Sequence, residues 1–419
     1  MQQKQTNRWI VLLASIIMNL CIGSAYAWSV FQKPLIEMFG WQTSQASLAF
    51  TINLCLVPFA MIVAGKIQDK SGPGKVTLVG GLIFGVGIIL SGFTSSLTVL
   101  YLTYGVLGGL GIGTVYACTI GNTVKWFPDK RGLAGGLVAA GFGSGAVLFA
   151  PLAVSLINKY GVLSTFRVLG FVFMIGIVLC SFAIKAPKEG FIPKGWTPKL
   201  AGPVVTVTID KTPGEMVKDA KFYVLWVMYT IGCVSGLMII GHASPIAQEK
   251  IGLSPQVAAV AVSILAFANT GGRIFWGSVS DKIGRYNAIL CMYILSSGML
   301  ILLSGAKSFG VFIVAVSGIA LSFGGFMGIF PSVTADNFGS KNIGVNYGVM
   351  FTAFGLAAFV GPRLAAMVKQ SSGGEYGRAF LIVAIMNIVG IVCTVIIKSL
   401  LKKESDKSKI LSEGIKVSS

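Results

Sequence analysis

Long apolar runs, each closed by a short polar segment, recur twelve times along the chain. They fall at Trp9–Phe31, Ser44–Ile67, Val76–Phe93, Leu97–Val124, Leu133–Ile157, Phe166–Ile184, Phe222–Gln248, Pro255–Ser280, Ala288–Leu303, Phe309–Ala335, Val345–Val368 and Arg378–Ile397. A helix needs roughly 20 such residues to cross a hydrocarbon layer about 30 Å thick. The pattern therefore predicts an all-α membrane protein with twelve transmembrane helices. The first run also has the outline of a signal peptide, with Lys4 and Arg8 ahead of it and a cleavage-like Ala25-Tyr26-Ala27. Counting it as a span completes an even set of twelve.

Composition removes the alternatives. Of 419 residues, 54% are hydrophobic and 11% charged, where soluble chains carry about 25% charged residues. That is too little polar surface to cover soluble domains, and the 54 Gly keep no three-residue period that would suggest a fibre. The net charge of +19 sits in short loops and at the ends, so it reads as a topology signal and no nucleic-acid partner is expected. Lys66, Lys70, Lys75, Lys125, Lys130, Arg131, Lys282, Arg285 and Lys341 gather on one side, with Lys4, Arg8 and the tail lysines. By the positive-inside rule both termini are expected in the cytoplasm of a cell-membrane protein. The seven Cys lie inside apolar runs, none spaced as CxxC, and there is a single His. No metal site or cofactor is expected, and the molecule is expected to work as a monomer.

The chain also repeats. "GKIQDKSG" (Gly65 to Gly72) follows the second span and "GSVSDKIG" (Gly277 to Gly284) the eighth, so Gly65, Asp69 and Lys70 match Gly277, Asp281 and Lys282 at an offset of 212 residues. Gly132 of "FPDKRG" and Gly344 of "FGSKNIG" keep the same offset. This predicts two homologous six-helix halves, residues 1–184 and 222–419, joined by the Pro- and Lys-rich cytoplasmic linker 185–221. In the GxxxDKxG loops the glycine permits close helix approach and the Asp can pair with a cation or helix end. The loops are therefore candidates for a conformational latch between the halves.

Twelve spans with this doubled loop resemble the major facilitator superfamily. "SAYAWSVF", "GIGTVYACTIGNTVKWFPDKRGLAGG", "GGRIFWGSVSDKIGRY" and "NYGVMF" narrow the resemblance to the oxalate:formate antiporter family, close to the monocarboxylate transporters.

A charge inside a span is a functional candidate by default. Arg273 lies eight residues before Asp281, roughly 12 Å inside the helix end. No Asp or Glu falls within a span interior to neutralise it. A guanidinium there suits a carboxylate, which it grips with two parallel hydrogen bonds. The resemblance implies the same role, since that family carries a substrate-binding arginine at this place. Arg363, near the outer end of its span, is expected to snorkel. Where oxalate exchangers of the family present a lysine in span eleven, this chain has Phe354, beyond Phe351 of the "NYGVMF" string. Phe323 and Met327 stand where the family has polar-edged aromatics, and Phe142 replaces a tyrosine, while Tyr26 and Tyr116 keep their hydroxyls. One cation, a few hydroxyls and apolar walls suit a small monocarboxylate such as lactate or pyruvate better than a dianion. His242 is the candidate proton site.

The function expected is secondary transport of small monocarboxylates, by proton symport or by anion exchange. Oxalate:formate-type exchange is the alternative within the class. A non-transporting membrane sensor is the alternative outside it, although the short lysine-rich tail offers no signalling domain. An enzyme is not expected. "GGLGIG" (Gly108 to Gly113) resembles a nucleotide fingerprint, but it lies mid-span with no preceding strand, where helix packing explains it.

Overall fold

A computed structural model describes residues 7–188, 191–193, 196, 210–372 and 375–417, with the last helix beyond residue 402 given by its backbone alone. Twelve long helices account for most of it. They are α1 (Arg8–Phe39), α2 (Thr43–Ser71), α3 (Pro73–Ser91), α4 (Leu97–Trp126), α5 (Arg131–Tyr160), α6 (Val162–Ser181), α7 (Ala220–Ile251), α8 (Pro255–Ile283), α9 (Arg285–Ser304), α10 (Phe309–Phe338), α11 (Ile343–Ser371) and α12 (Gly377–Val417). Among the described residues, eleven are long and apolar enough to cross a membrane. The remaining long helix, α8, runs for 29 residues and carries Arg273. Most helices continue past the apolar run that predicted them: α1 reaches Phe39 and α12 reaches Val417. Polar turns outside the hydrocarbon can extend a helix because water satisfies their groups.

The connections follow from single residues. Gly72 (φ +84°) alone separates α2 from α3, and Gly284 (φ +89°) alone separates α8 from α9. Both take a backbone conformation that side chains with a Cβ avoid, so the closing glycine of each GxxxDKxG loop makes a one-residue link. Gly40 (φ +68°) and Gly252 (φ +73°) end α1 and α7 at the same 212-residue spacing. The "GGLGIG" string is a packing face. A methyl at Gly109 would come within 2.5 Å of the Asn53 carbonyl oxygen, and one at Gly113 within 2.4 Å of that of Val57.

The first six helices pair chiefly as α1 with α5, α2 with α4, and α3 with α4 and α6. The last six pair as α7 with α11, α8 with α10, and α9 with α10 and α12. Two broad contacts join the sets, α5 against α8 and α2 against α11. The expected linker is described only in part. The Trp126 indole and the Asn122 amide donate to the Lys185 carbonyl. At its other end the Lys211 N–H donates to the Phe338 carbonyl, and the Asn342 and Asn346 amides donate to the Lys211 carbonyl. Burial raises the Asp219 carboxyl, but hydrogen bonds from the Lys211 ammonium and the Lys221 N–H prevail and hold it below the usual carboxylate range.

Candidate functional site

Arg273 is fully buried, and it is the only charged side chain among the described residues that is. Its backbone can sit so deep because small residues surround it: a methyl at Gly136 of α5 would come within 2.3 Å of the Arg273 carbonyl oxygen, and one at Gly328 of α10 within 2.7 Å. The side chain then crosses from the last six helices to the first six. Nη1 donates to the Ala139 carbonyl oxygen at 2.5 Å, while Nε and Nη2 have no hydrogen-bond partner. Those two nitrogens form one side of the guanidinium, the side that grips a carboxylate in a bidentate fork. A methyl at Gly143 would lie 3.1 Å from the guanidinium carbon and 3.2 Å from Thr270 Oγ1, which is itself without a partner. Gly143 therefore makes the room that the guanidinium occupies, which a Cβ would crowd.

An aromatic cage closes over this point. The break in α1 at Ser24–Ala27 brings the Tyr26 hydroxyl up to the guanidinium. Tyr26 meets Phe142 edge-on at 5.0 Å, and Tyr116 touches Phe142 at 5.2 Å and Phe351 at 5.7 Å between ring centres. Phe354 stacks on Phe351 at 4.9 Å. Two residues not expected from the sequence join them. Tyr229 stacks on Phe330 at 4.0 Å, and its hydroxyl lies 3.3 Å from that of Tyr347 and 3.4 Å from the Met327 sulfur. Phe351 reaches the rings of both tyrosines. Arg273, Tyr116, Phe142, Tyr229, Met327 and Phe351 lie 8–11 residues from one end of their helices, roughly 12–17 Å deep.

The structure thus brings Arg273, Tyr26, Tyr116, Phe142, Met327, Phe351 and Phe354 together. Phe323 instead faces α7, where a methyl at Gly236 would collide with its ring at 2.2 Å. His242 is far off, 13 residues along α7 from Tyr229, with its ring against Tyr376 and Nδ1 3.3 Å from the Met238 carbonyl oxygen. Arg363 is exposed, with its guanidinium 3.5 Å from the centre of the Phe359 ring.

The GxxxDKxG loops lie together at one end of the bundle, called here the motif end. The Asp281 carboxylate accepts from the backbone N–H groups of Gly132 (3.0 Å) and Leu133 (2.8 Å) at the start of α5, and from Arg285 Nη1 at 2.6 Å. Gly277 and Gly132 face each other, and a methyl on either would strike the other's carbonyl oxygen at 2.3–2.4 Å. Arg131 reaches Asp336 at 2.5 Å, which Arg285 also holds. In the other loop Asp69 faces the Val345 N–H at the start of α11 and pairs with Lys125 at 3.0 Å; Lys125 also donates to the Lys341 carbonyl. Gly65 rests on Gly344, where a methyl would meet backbone at 2.3 Å. Lys70 and Lys282 are exposed and form no ion pair among the described residues. The partnering cations are Lys125 and Arg285, outside the motif.

A bundle of membrane-length helices closed at one end around a buried arginine is the architecture of a transporter. The chain matches the sequence profile of the Major Facilitator Superfamily over residues 9–362 and 243–414, and it belongs to that family. It is 33% identical to the oxalate:formate antiporter of Oxalobacter formigenes, covering 91% of this chain and 90% of that one. It is also 33% identical to the uncharacterized transporter YhjX of Escherichia coli (84% and 86% covered) and 24% identical to monocarboxylate transporter 12 of Xenopus laevis (89% and 85% covered). The fold is similar to that of the proton:xylose symporter XylE, with a TM-score of 0.71 at 15% identity over 92% of this chain and 94% of that one.

Proposed function

We propose that the protein is a secondary carrier of small organic anions, and that its substrates are short monocarboxylates of the size of lactate and pyruvate. The observation that carries this is the state of Arg273: one nitrogen tied to the Ala139 carbonyl, two left as a single carboxylate-binding fork in a buried aromatic cage. No second cation completes a dianion site, since Phe354 occupies the span-eleven position and no other Lys or Arg is fully buried among the described residues. A second carboxylate in such a cage would lose several kcal/mol of solvation with nothing to replace it. The names of the antiporter and monocarboxylate-transporter relatives support the same class.

The residues give two reasons to favour exchange over proton symport. Arginine stays protonated, and no acidic residue is buried to neutralise it or to carry a proton among those described. In this reading the motif end is cytoplasmic, the two six-helix halves 1–184 and 222–419 rock about the arginine, and the Asp69 and Asp281 contacts hold the inner side shut. The 33% identity to the oxalate:formate antiporter favours a second reading, in which oxalate itself is carried.

Uptake of labelled lactate, pyruvate, formate and oxalate into proteoliposomes, with and without a pH gradient, decides between them. The proposal expects lactate or pyruvate to enter and oxalate to compete weakly. Oxalate displacing lactate at lower concentration than lactate itself would replace it with the second reading.

A further inference from the structure

We infer that the carrier reads the second carbon of its substrate through three tyrosine hydroxyls, those of Tyr116, Tyr229 and Tyr347. It therefore takes short monocarboxylates bearing an oxygen on that carbon and rejects the unsubstituted acids. This rests on the carboxylate reading of Arg273 given above and adds what surrounds the bound carboxylate. The three tyrosines come from α4, α7 and α11 and are 2% exposed or less. All three rings meet the ring of Phe351, so one side chain gathers them at a common point. Tyr116 also touches the ring of Phe142, which meets Tyr26 on its other side and precedes Gly143, the residue packed against the guanidinium, so the cluster lies one ring away from the carboxylate grip.

Hydrogen-bond accounting points to a ligand. Three hydroxyls bring three hydrogens. The contact between Tyr229 and Tyr347 uses one, and the other neighbour of that pair is the Met327 sulfur, a weak acceptor. The Tyr116 hydroxyl makes no hydrogen bond of ordinary geometry, and the polar group nearest to hand is the Tyr347 hydroxyl of the same cluster. Buried hydroxyls are otherwise almost always satisfied, and no carboxylate or carbonyl is bonded to any of these three among the described contacts. An oxygen on the carbon next to the carboxylate would meet this capacity. Because a hydroxyl both donates and accepts, it serves a keto or a hydroxy group alike. Phe142, Phe351 and Phe354 are left to enclose the substrate's methyl end.

The inference is opposed to what apolar packing alone gives. Propionate is lactate without its hydroxyl, so an aromatic cage acting only as a greasy wall would hold propionate better. A site built to hydrogen-bond a substrate oxygen rejects the analogue lacking it, because its own buried groups are left unpaired.

The test is uptake of labelled lactate and labelled propionate by the full-length protein in proteoliposomes, each in competition with the other. Propionate should be at least about 30-fold the poorer substrate for the wild type, a modest discrimination for a hydrogen-bonded site. Tyr116→Phe, Tyr229→Phe and Tyr347→Phe remove one oxygen each and keep the rings. At least one should shrink that ratio about 10-fold by weakening lactate without weakening propionate, the signature of a lost hydrogen bond to the substrate. Equal handling of the two acids by the wild type, or an unchanged ratio in all three variants, overturns the inference and leaves the carboxylate reading standing. Failure of the wild type to take up either acid overturns both.

Discussion

At the scale of the residue, Arg273 has two tasks that no other side chain shares. Nη1 ties α8 to α5 through the Ala139 carbonyl, and the opposite edge of the guanidinium is free for the substrate. Arg273→Ala should therefore abolish uptake, since truncating one partner of a buried charge-assisted pair loses about 2–5 kcal/mol, or roughly 30- to several-thousand-fold in affinity. Arg273→Lys should fail too: an ammonium is a point charge and cannot hold the carbonyl and present a planar fork at once. Uptake and substrate binding, measured on protein that still elutes as a monodisperse species, check both. Full activity in the alanine variant would end the carboxylate reading. Arg273 was legible in the sequence because an arginine three turns inside an apolar helix, among glycines and far from any acid, has few bland explanations. Its partner was not, because Ala139 contributes a backbone carbonyl and leaves no trace in side-chain pattern. Tyr229 and Tyr347 were passed over for a related reason. A single tyrosine in an apolar run resembles packing until the fold sets its hydroxyl beside another.

At the scale of the element, each GxxxDKxG loop sets an aspartate against the N-terminus of a helix from the other set: Asp281 on α5 and Asp69 on α11. Free N–H groups and the helix dipole make that position favourable for a carboxylate, by about 0.3–1 kcal/mol and up to about 2 in partly buried sites. Asp281→Asn keeps the shape and removes the charge. It should change the exchange rate by about 2- to 30-fold, the range those energies convert to, while equilibrium binding of lactate moves much less because the site at Arg273 is untouched. Counterflow rates and ligand-induced thermal shifts measured together separate the two effects. If rate and binding fall in parallel, the loop is part of the site and not a latch. The sequence located all twelve long helices, because hydrophobic length alone determines a span, but it stopped some of them short, because polar end turns carry no apolar signal. It also did not reveal the matched glycine bends at Gly40 and Gly252: among 54 glycines, the two that need a positive φ are not marked.

At the scale of the whole molecule, one permanent positive charge is enclosed between two sets of helices with no buried acid to offset it among the described residues. Moving the empty carrier from one orientation to the other would drag an unpaired guanidinium through the occluded state, at a penalty of several kcal/mol. The loaded carrier is neutral at that point. Liposomes preloaded with lactate should therefore take up labelled lactate quickly and lose it slowly into buffer without substrate, at least about 10-fold slower for a penalty above 1.4 kcal/mol. Equal rates would show that the empty carrier reorients freely. The same buried charge determines how the protein meets an electrical field. Swapping one monoanion for another moves no net charge across the bilayer, so the exchange half-cycles run alike at any membrane voltage. Reorientation of the empty form carries a positive charge through the field, worth about 2.3 kcal/mol per 100 mV for a full crossing. Voltage would then act on the leak and spare the exchange: an inside-negative potential favours the inward return of the empty form, the step that completes net efflux of an anion, so the cost of burying the unpaired guanidinium is what holds internal carboxylate back.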